Sequence, residues 1–128
     1  MSYSRFIDPT YYYDNPTLGF STPSETYVVA DSNITIPLEE GNYLFDYTAK
    51  CGSDKVTKAV SFRILIDGNQ VDEWIKESKD GEDRMPLTGT SKLQNLAAGT
   101  HTVMIEAKGN MPAEAIVDSF RFTLKRWG

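Results

Sequence analysis

Gly41-Asn42-Tyr43-Leu44-Phe45-Asp46-Tyr47-Thr48-Ala49-Lys50-Cys51 is the stretch on which the fold turns. Tyr43, Phe45, Tyr47, Ala49 and Cys51 share one parity, while Asp46, Thr48 and Lys50 take the other. Side chains alternate across a strand, so this pattern predicts a long strand with one buried face and one wet face. Turn residues bracket it, Glu39-Glu40-Gly41-Asn42 before and Gly52-Ser53-Asp54 after.

The same period of two extends outward in both directions. Downstream, Val60, Phe62, Ile64 and Ile66 point inward and Ser61, Arg63 and Asp67 outward. Asp67-Gly68-Asn69 is a hairpin signal, because a tight turn needs positive φ, and Val71 to Ile75 is the returning strand. A charged stretch, Lys76 to Arg84, reads as loop; Leu93 and Leu96 mark a weak strand closed at Ala98-Gly99. His101, Val103, Ile105 and Ala107 then alternate with Thr102, Glu106 and Lys108. The last strand, about Glu114 to Trp127, sets Phe120, Phe122 and Leu124 against Arg121, Thr123 and Lys125. Upstream, Tyr27 to Ala30 is an apolar run, Asp31-Ser32-Asn33 a turn cluster, and Ile34 and Ile36 flank Thr35 up to Pro37. No segment has the spacing of an amphipathic helix. Roughly seven to nine short strands at this spacing predict an all-β, antiparallel β-sandwich spanning residues 27–128.

Residues 1–26 read differently. Pro9, Pro16 and Pro23 fall here with Tyr3, Phe6, Tyr11, Tyr12, Tyr13 and Phe20. Proline lacks an N–H and suits no sheet interior, yet a disordered tail is poor in aromatics. The segment is therefore expected to be an extended N-terminal arm that orders against a surface. That surface is either a partner, with Phe6, Tyr11, Tyr12, Tyr13 and Phe20 as assembly contacts, or the chain's own domain. Three consecutive tyrosines cannot all be buried in a two-faced strand.

Charge narrows the function classes. Across 128 residues, 13 basic and 18 acidic side chains give a net charge of -5, with no basic patch for nucleic acid. No run approaches the roughly 18 apolar residues of a spanning helix, and Met1 to Thr10 lacks the apolar region of a signal peptide. One cysteine, Cys51, makes no internal disulfide and no metal cluster. His101 is the only histidine, and no Gly-x-Ser-x-Gly elbow accompanies it, so a catalytic triad is not expected. It reads as a buried or subunit-contacting strand residue. Six carboxylates between Asp72 and Asp83 alternate with Lys76 and Lys79 around Gly81 and miss the Asp-x-Asp-x-Asp-Gly calcium spacing, as a solvated loop does. Trp74 and Trp127 are candidate ligand or subunit contacts; a Trp on a strand more often packs against the core or a neighbouring subunit, and the alternative for Trp74 is a ring on which a sugar stacks. Asn33-Ile34-Thr35 matches a glycosylation acceptor, relevant only to a secreted chain. No cofactor and no catalytic residue are expected.

Ile36-Pro37 followed by Glu40-Gly41-Asn42-Tyr43-Leu44-Phe45 resembles the Pro-x-x-Gly-x-Tyr-x-Phe opening of jelly rolls such as tumour necrosis factor and the complement globular head. Phe62-Arg63-Ile64 with Asp67-Gly68, and Leu96-Ala97-Ala98-Gly99-Thr100-His101-Thr102-Val103, are similar to the steps that follow there. Phe120-Arg121-Phe122-Thr123-Leu124 is like the terminal strand of decoration proteins and tail-fibre heads of tailed bacteriophages. The resemblance, over residues 34–126, implies a jelly roll assembled as a homotrimer with aromatic faces near the axis. Two functional expectations follow. One is a non-enzymatic capsid decoration (cement) protein, made in the host cytoplasm and held to the major capsid protein or another virion protein on the capsid surface by its arm. The other is a carbohydrate- or receptor-binding module.

Overall fold

The computed structural model describes residues 6–55, 58–77 and 84–127. Nine strands are present among them: β1 (Phe6–Asn15), β2 (Phe20–Thr22), β3 (Val28–Leu38), β4 (Gly41–Ser53), β5 (Ala59–Ile66), β6 (Asn69–Glu77), β7 (Arg84–Leu96), β8 (Gly99–Lys108) and β9 (Ala115–Trp127). Two antiparallel sheets form. One runs β1-β9-β4-β7 with β2 also paired to β9; the other runs β3-β8-β5-β6. Successive strands change sheet at every connection except the β1–β2 bend and the β5–β6 hairpin. Such winding is a jelly roll, which brings the first and last strands side by side in one sheet.

The core is the one that alternation marks. Tyr43, Phe45, Tyr47, Ala49 and Cys51 of β4 face Val60, Phe62, Ile64 and Ile66 of β5 and Val103, Ile105 and Ala107 of β8 across the sandwich. Phe120, Phe122 and Leu124 of β9 complete it. The β5–β6 hairpin is closed by Asp67 (φ 54°) and Gly68 (φ 80°), the two consecutive positive values of a type I′ turn.

Three expectations change. Residues 6–22 are not an arm reaching outward but the edge of the chain's own sheet: Tyr11 pairs with Leu124, Tyr13 with Phe122, and Phe20 with Val117. Proline is tolerated there because an edge strand leaves half its N–H groups unclaimed by a ladder, and the register shifts between Ile7 and Thr10, around Pro9. Asp31-Ser32-Asn33 is not a turn. β3 runs through it, and register shifts between Val29 and Asp31 and between Asn33 and Ile36 absorb the break in alternation. Lastly, β7 is longer than Leu93 and Leu96 suggest, because it pairs with β4 from Arg84 to Leu96. As an edge strand it needs few apolar side chains to hold its place.

Candidate functional site

Pairing of β1, β9 and β4 brings three wet strand faces together. Tyr12 stands opposite Thr123, and Thr123 opposite Asp46. One row along, Asp14 stands opposite Arg121, and Arg121 opposite Thr48. A cleft of about 210 Å³ opens on this face, lined by Tyr12, Asp46, Thr48, Arg121 and Thr123 with Tyr47 and Phe122 of the same strands. The Tyr12 residue is 59% exposed at its side. With neighbouring strands about 4.8 Å apart, Tyr12 and Asp46 flank a gap of roughly 10 Å. That volume is below the roughly 300–1,000 Å³ of pockets for drug-sized ligands, so the cleft suits one small ring lying on the sheet.

Packing beneath holds the cleft still. Tyr11 stacks on Phe122 with centroids 6.0 Å apart, and Tyr13 approaches the same ring at 5.4 Å. Phe45 meets Phe122 at 5.8 Å and Tyr47 at 5.6 Å. The tyrosine triplet thus divides by parity: Tyr11 and Tyr13 go inward and Tyr12 outward. The Tyr13 hydroxyl also donates to Asp31 Oδ2 (2.7 Å), and Asn15 Nδ2 donates to the same oxygen (3.2 Å), tying β1 to β3 across the sandwich. Burial, then the Asp31 carboxylate, push the Tyr13 phenol up to about 12, so it stays a donor.

The other named residues take structural places. Trp74 is half-buried against the core; its indole N–H donates to Tyr47 Oη (2.8 Å), and the Tyr47 hydroxyl donates to Asp72 Oδ2 (2.6 Å). Burial and the Asp72 carboxylate hold the Tyr47 phenol well above its usual range. His101 is buried, with Nδ1 2.6 Å from Asp67 Oδ2 and Nε2 2.7 Å from the Ala97 carbonyl. Cys51 is buried and free, and burial raises its thiol beyond reactivity at neutral pH. Phe20 packs against the chain's own core. Phe6 and Trp127 are opposite one another on β1 and β9, their side chains outside the described residues. Outside them too lies most of the carboxylate loop, residues 78–83. Among the described residues no three His, Cys, Asp or Glu side chains gather as metal ligands, and no helix is long and apolar enough to cross a membrane.

Asp46, Thr48, Arg121 and Thr123 carried a signal as outward residues, but nothing local marks β4, β9 and β1 as neighbours. Their convergence is a product of the jelly-roll winding.

No protein-family model and no curated protein sequence matches the chain. Solved structures do. The insecticidal delta-endotoxin Cry8Ea1 of Bacillus thuringiensis superposes with a TM-score of 0.56 at 9% identity, over 81% of this chain and 19% of that one. The chain therefore spans about a fifth of the toxin's length. The CBM36-1 domain of a multidomain xylanase from the hindgut metagenome of Trinervitermes trinervoides gives 0.52 at 16% identity, over 95% and 86%. A carbohydrate-binding module CBM36 in complex with calcium and xylotriose gives 0.46 at 14%, over 90% and 99%. The first two likenesses establish the β-sandwich fold.

Proposed function

We propose that this chain is a non-catalytic carbohydrate-binding domain whose site is the cleft on the β1-β9-β4 face. The observation that carries the reading is the Tyr12 ring, exposed beside a carboxylate, a guanidinium and two threonine hydroxyls that project from adjacent strands. Sugars have apolar C–H faces and hydroxyl rims. An aromatic face suits the first, and charged groups make strong hydrogen bonds with the second. Support also comes from the fold likeness to the CBM36-1 domain of a xylanase. The capsid-decoration reading lacks comparable support: its arm is a strand of the chain's own sheet, with Tyr11 and Tyr13 against Phe122.

Sugar binding is measured by calorimetry and affinity electrophoresis against soluble polysaccharides and by a glycan array. Tyr12→Ala should weaken binding at least about tenfold, equivalent to about 1.4 kcal/mol, while the thermal midpoint holds because the ring supports no core contact. Silence across the glycans, or binding that Tyr12→Ala leaves intact, would overturn the assignment.

A further inference from the structure

At the end of the sandwich away from the β8–β9 connection, one side chain bridges the β5–β6 and β7–β8 turns. His101, at the start of β8, reaches the β5–β6 turn through Asp67 and the β7–β8 turn through Ala97. Both partners are acceptors, a carboxylate oxygen and a peptide carbonyl. A neutral imidazole has one N–H and one lone pair, so it satisfies only one of them; an imidazolium satisfies both. We infer that His101 is a doubly donating imidazolium that clasps these two turns together, and that loss of its proton releases the end of the fold as pH rises.

The charge balance around the ring agrees. Burial alone would favour the neutral form, but the Asp67 hydrogen bond, the Ala97 carbonyl and the Asp67 charge outweigh it and lift the group above its usual 6.5. Asp67 is itself fixed: Oδ1 accepts the Thr102 N–H (2.9 Å), and the Asp67 N–H donates to the Thr102 carbonyl (2.9 Å). From the β3 side, Ile36 and Pro37 stand opposite His101 and Thr100 in the ladder and bring no charge. The charged pair at the β3–β4 turn, Glu39 with Arg126 (2.8 Å), is joined to itself. Asp67 is the charge that acts on the ring.

The sign follows from linkage. A group whose folded pKa lies above its unfolded value adds stability in full below the unfolded value, here about 6.5, and loses it as pH rises through the folded pKa. On deprotonation one nitrogen presents a lone pair to an oxygen under 3 Å away. The Ala97 contact should open first, because Ala97 and Ala98 form an exposed turn while Asp67 is anchored to Thr102.

A single histidine makes the test clean. A nitrogen-15 titration of the full chain should place the imidazole midpoint above about 6.5, with both ring nitrogens protonated below that midpoint. The urea midpoint should fall between pH 6 and 9. Asp67→Asn keeps an oxygen for the Thr102 amide and tolerates the positive φ; it should lower the titration midpoint and flatten the pH dependence of stability. An imidazole that titrates at or below 6.5 overturns the inference, as does an Asp67→Asn chain whose imidazole titrates like the wild type. Should that variant fail to fold, the wild-type nitrogen spectrum decides alone.

Discussion

Each outer face of the sandwich carries a tyrosine, and the two are used in opposite ways. Tyr27, on the β3-β8-β5-β6 side, has the Arg63 guanidinium 4.1 Å and the Lys108 ammonium 4.8 Å from its ring centroid. Its hydroxyl donates to Glu73 Oε2 (2.7 Å), and Arg63 Nε in turn donates to Glu106 Oε1 (2.6 Å). Burial and Glu73 push that phenol up to about 12. The ring face and the hydroxyl are both taken by groups of the same chain. Tyr12, on the other sheet, is 59% exposed, and among the described residues no cation lies over it. An outward aromatic offers a binding surface only where its own neighbours leave the ring face open, and on this molecule the cleft lies beside the ring that is left open.

The contrast depends first on β1 being part of the sheet, and removing it should have the largest effect. A chain lacking residues 1–22 loses Tyr11 and Tyr13 from Phe122, Phe20 from the core and the whole ladder that covers β9. Removing one core aromatic costs about 3–5 kcal/mol, and a domain has only about 5–15 to lose. The truncated chain should show no cooperative denaturation in urea. If it unfolds at the wild-type midpoint, residues 6–22 are a separable arm after all and Tyr12 has no fixed place beside Arg121.

Much of this arrangement was legible in the residues. Alternation in Tyr43 to Cys51 and Phe120 to Leu124 gave the core face, and Asp67-Gly68 gave the hairpin, because both are local consequences of strand geometry. Two kinds of information are not local. Tyr11-Tyr12-Tyr13 shows that one ring must oppose the other two, but which face is the core depends on pairing with β9, more than a hundred residues away. Asp46 and Arg121 are outward on their own strands, and only the winding of the sheet makes them neighbours. The residues leave Trp74 open as a core ring, a subunit contact or a sugar platform; its N–H is held by Tyr47, a contact between β6 and β4 with no trace in either strand's own pattern.

The floor of the cleft offers a second, smaller test. Gly89 of β7 lies against the Tyr47 ring, and a Cβ added there would collide with its Cε1, Cζ and Cδ1. Tyr47 also links Trp74 to Asp72 and lines the cleft, so it cannot move alone. Overpacking of this kind costs about 1–3 kcal/mol. Gly89→Ala should lower the urea midpoint accordingly and weaken sugar binding without touching Tyr12. Full stability would mean that the ring has room to move, and that the β4 side of the cleft is less rigid than the β9 side.

The smallest expected effect separates the two faces most directly. Tyr27→Ala uncovers Arg63 and Lys108 and removes the hydroxyl from Glu73, but Arg63 keeps Glu106. Cation–π contacts at exposed positions contribute about 0.5–1 kcal/mol, so the urea midpoint should drop slightly and sugar affinity should not change. Paired with Tyr12→Ala, this makes a crossed design: one substitution costs stability and spares binding, the other spares stability and costs binding. Were Tyr27→Ala to weaken binding while Tyr12→Ala did not, the cations on Tyr27 would be serving a ligand rather than closing the ring, and the site would belong to the β3-β8-β5-β6 face.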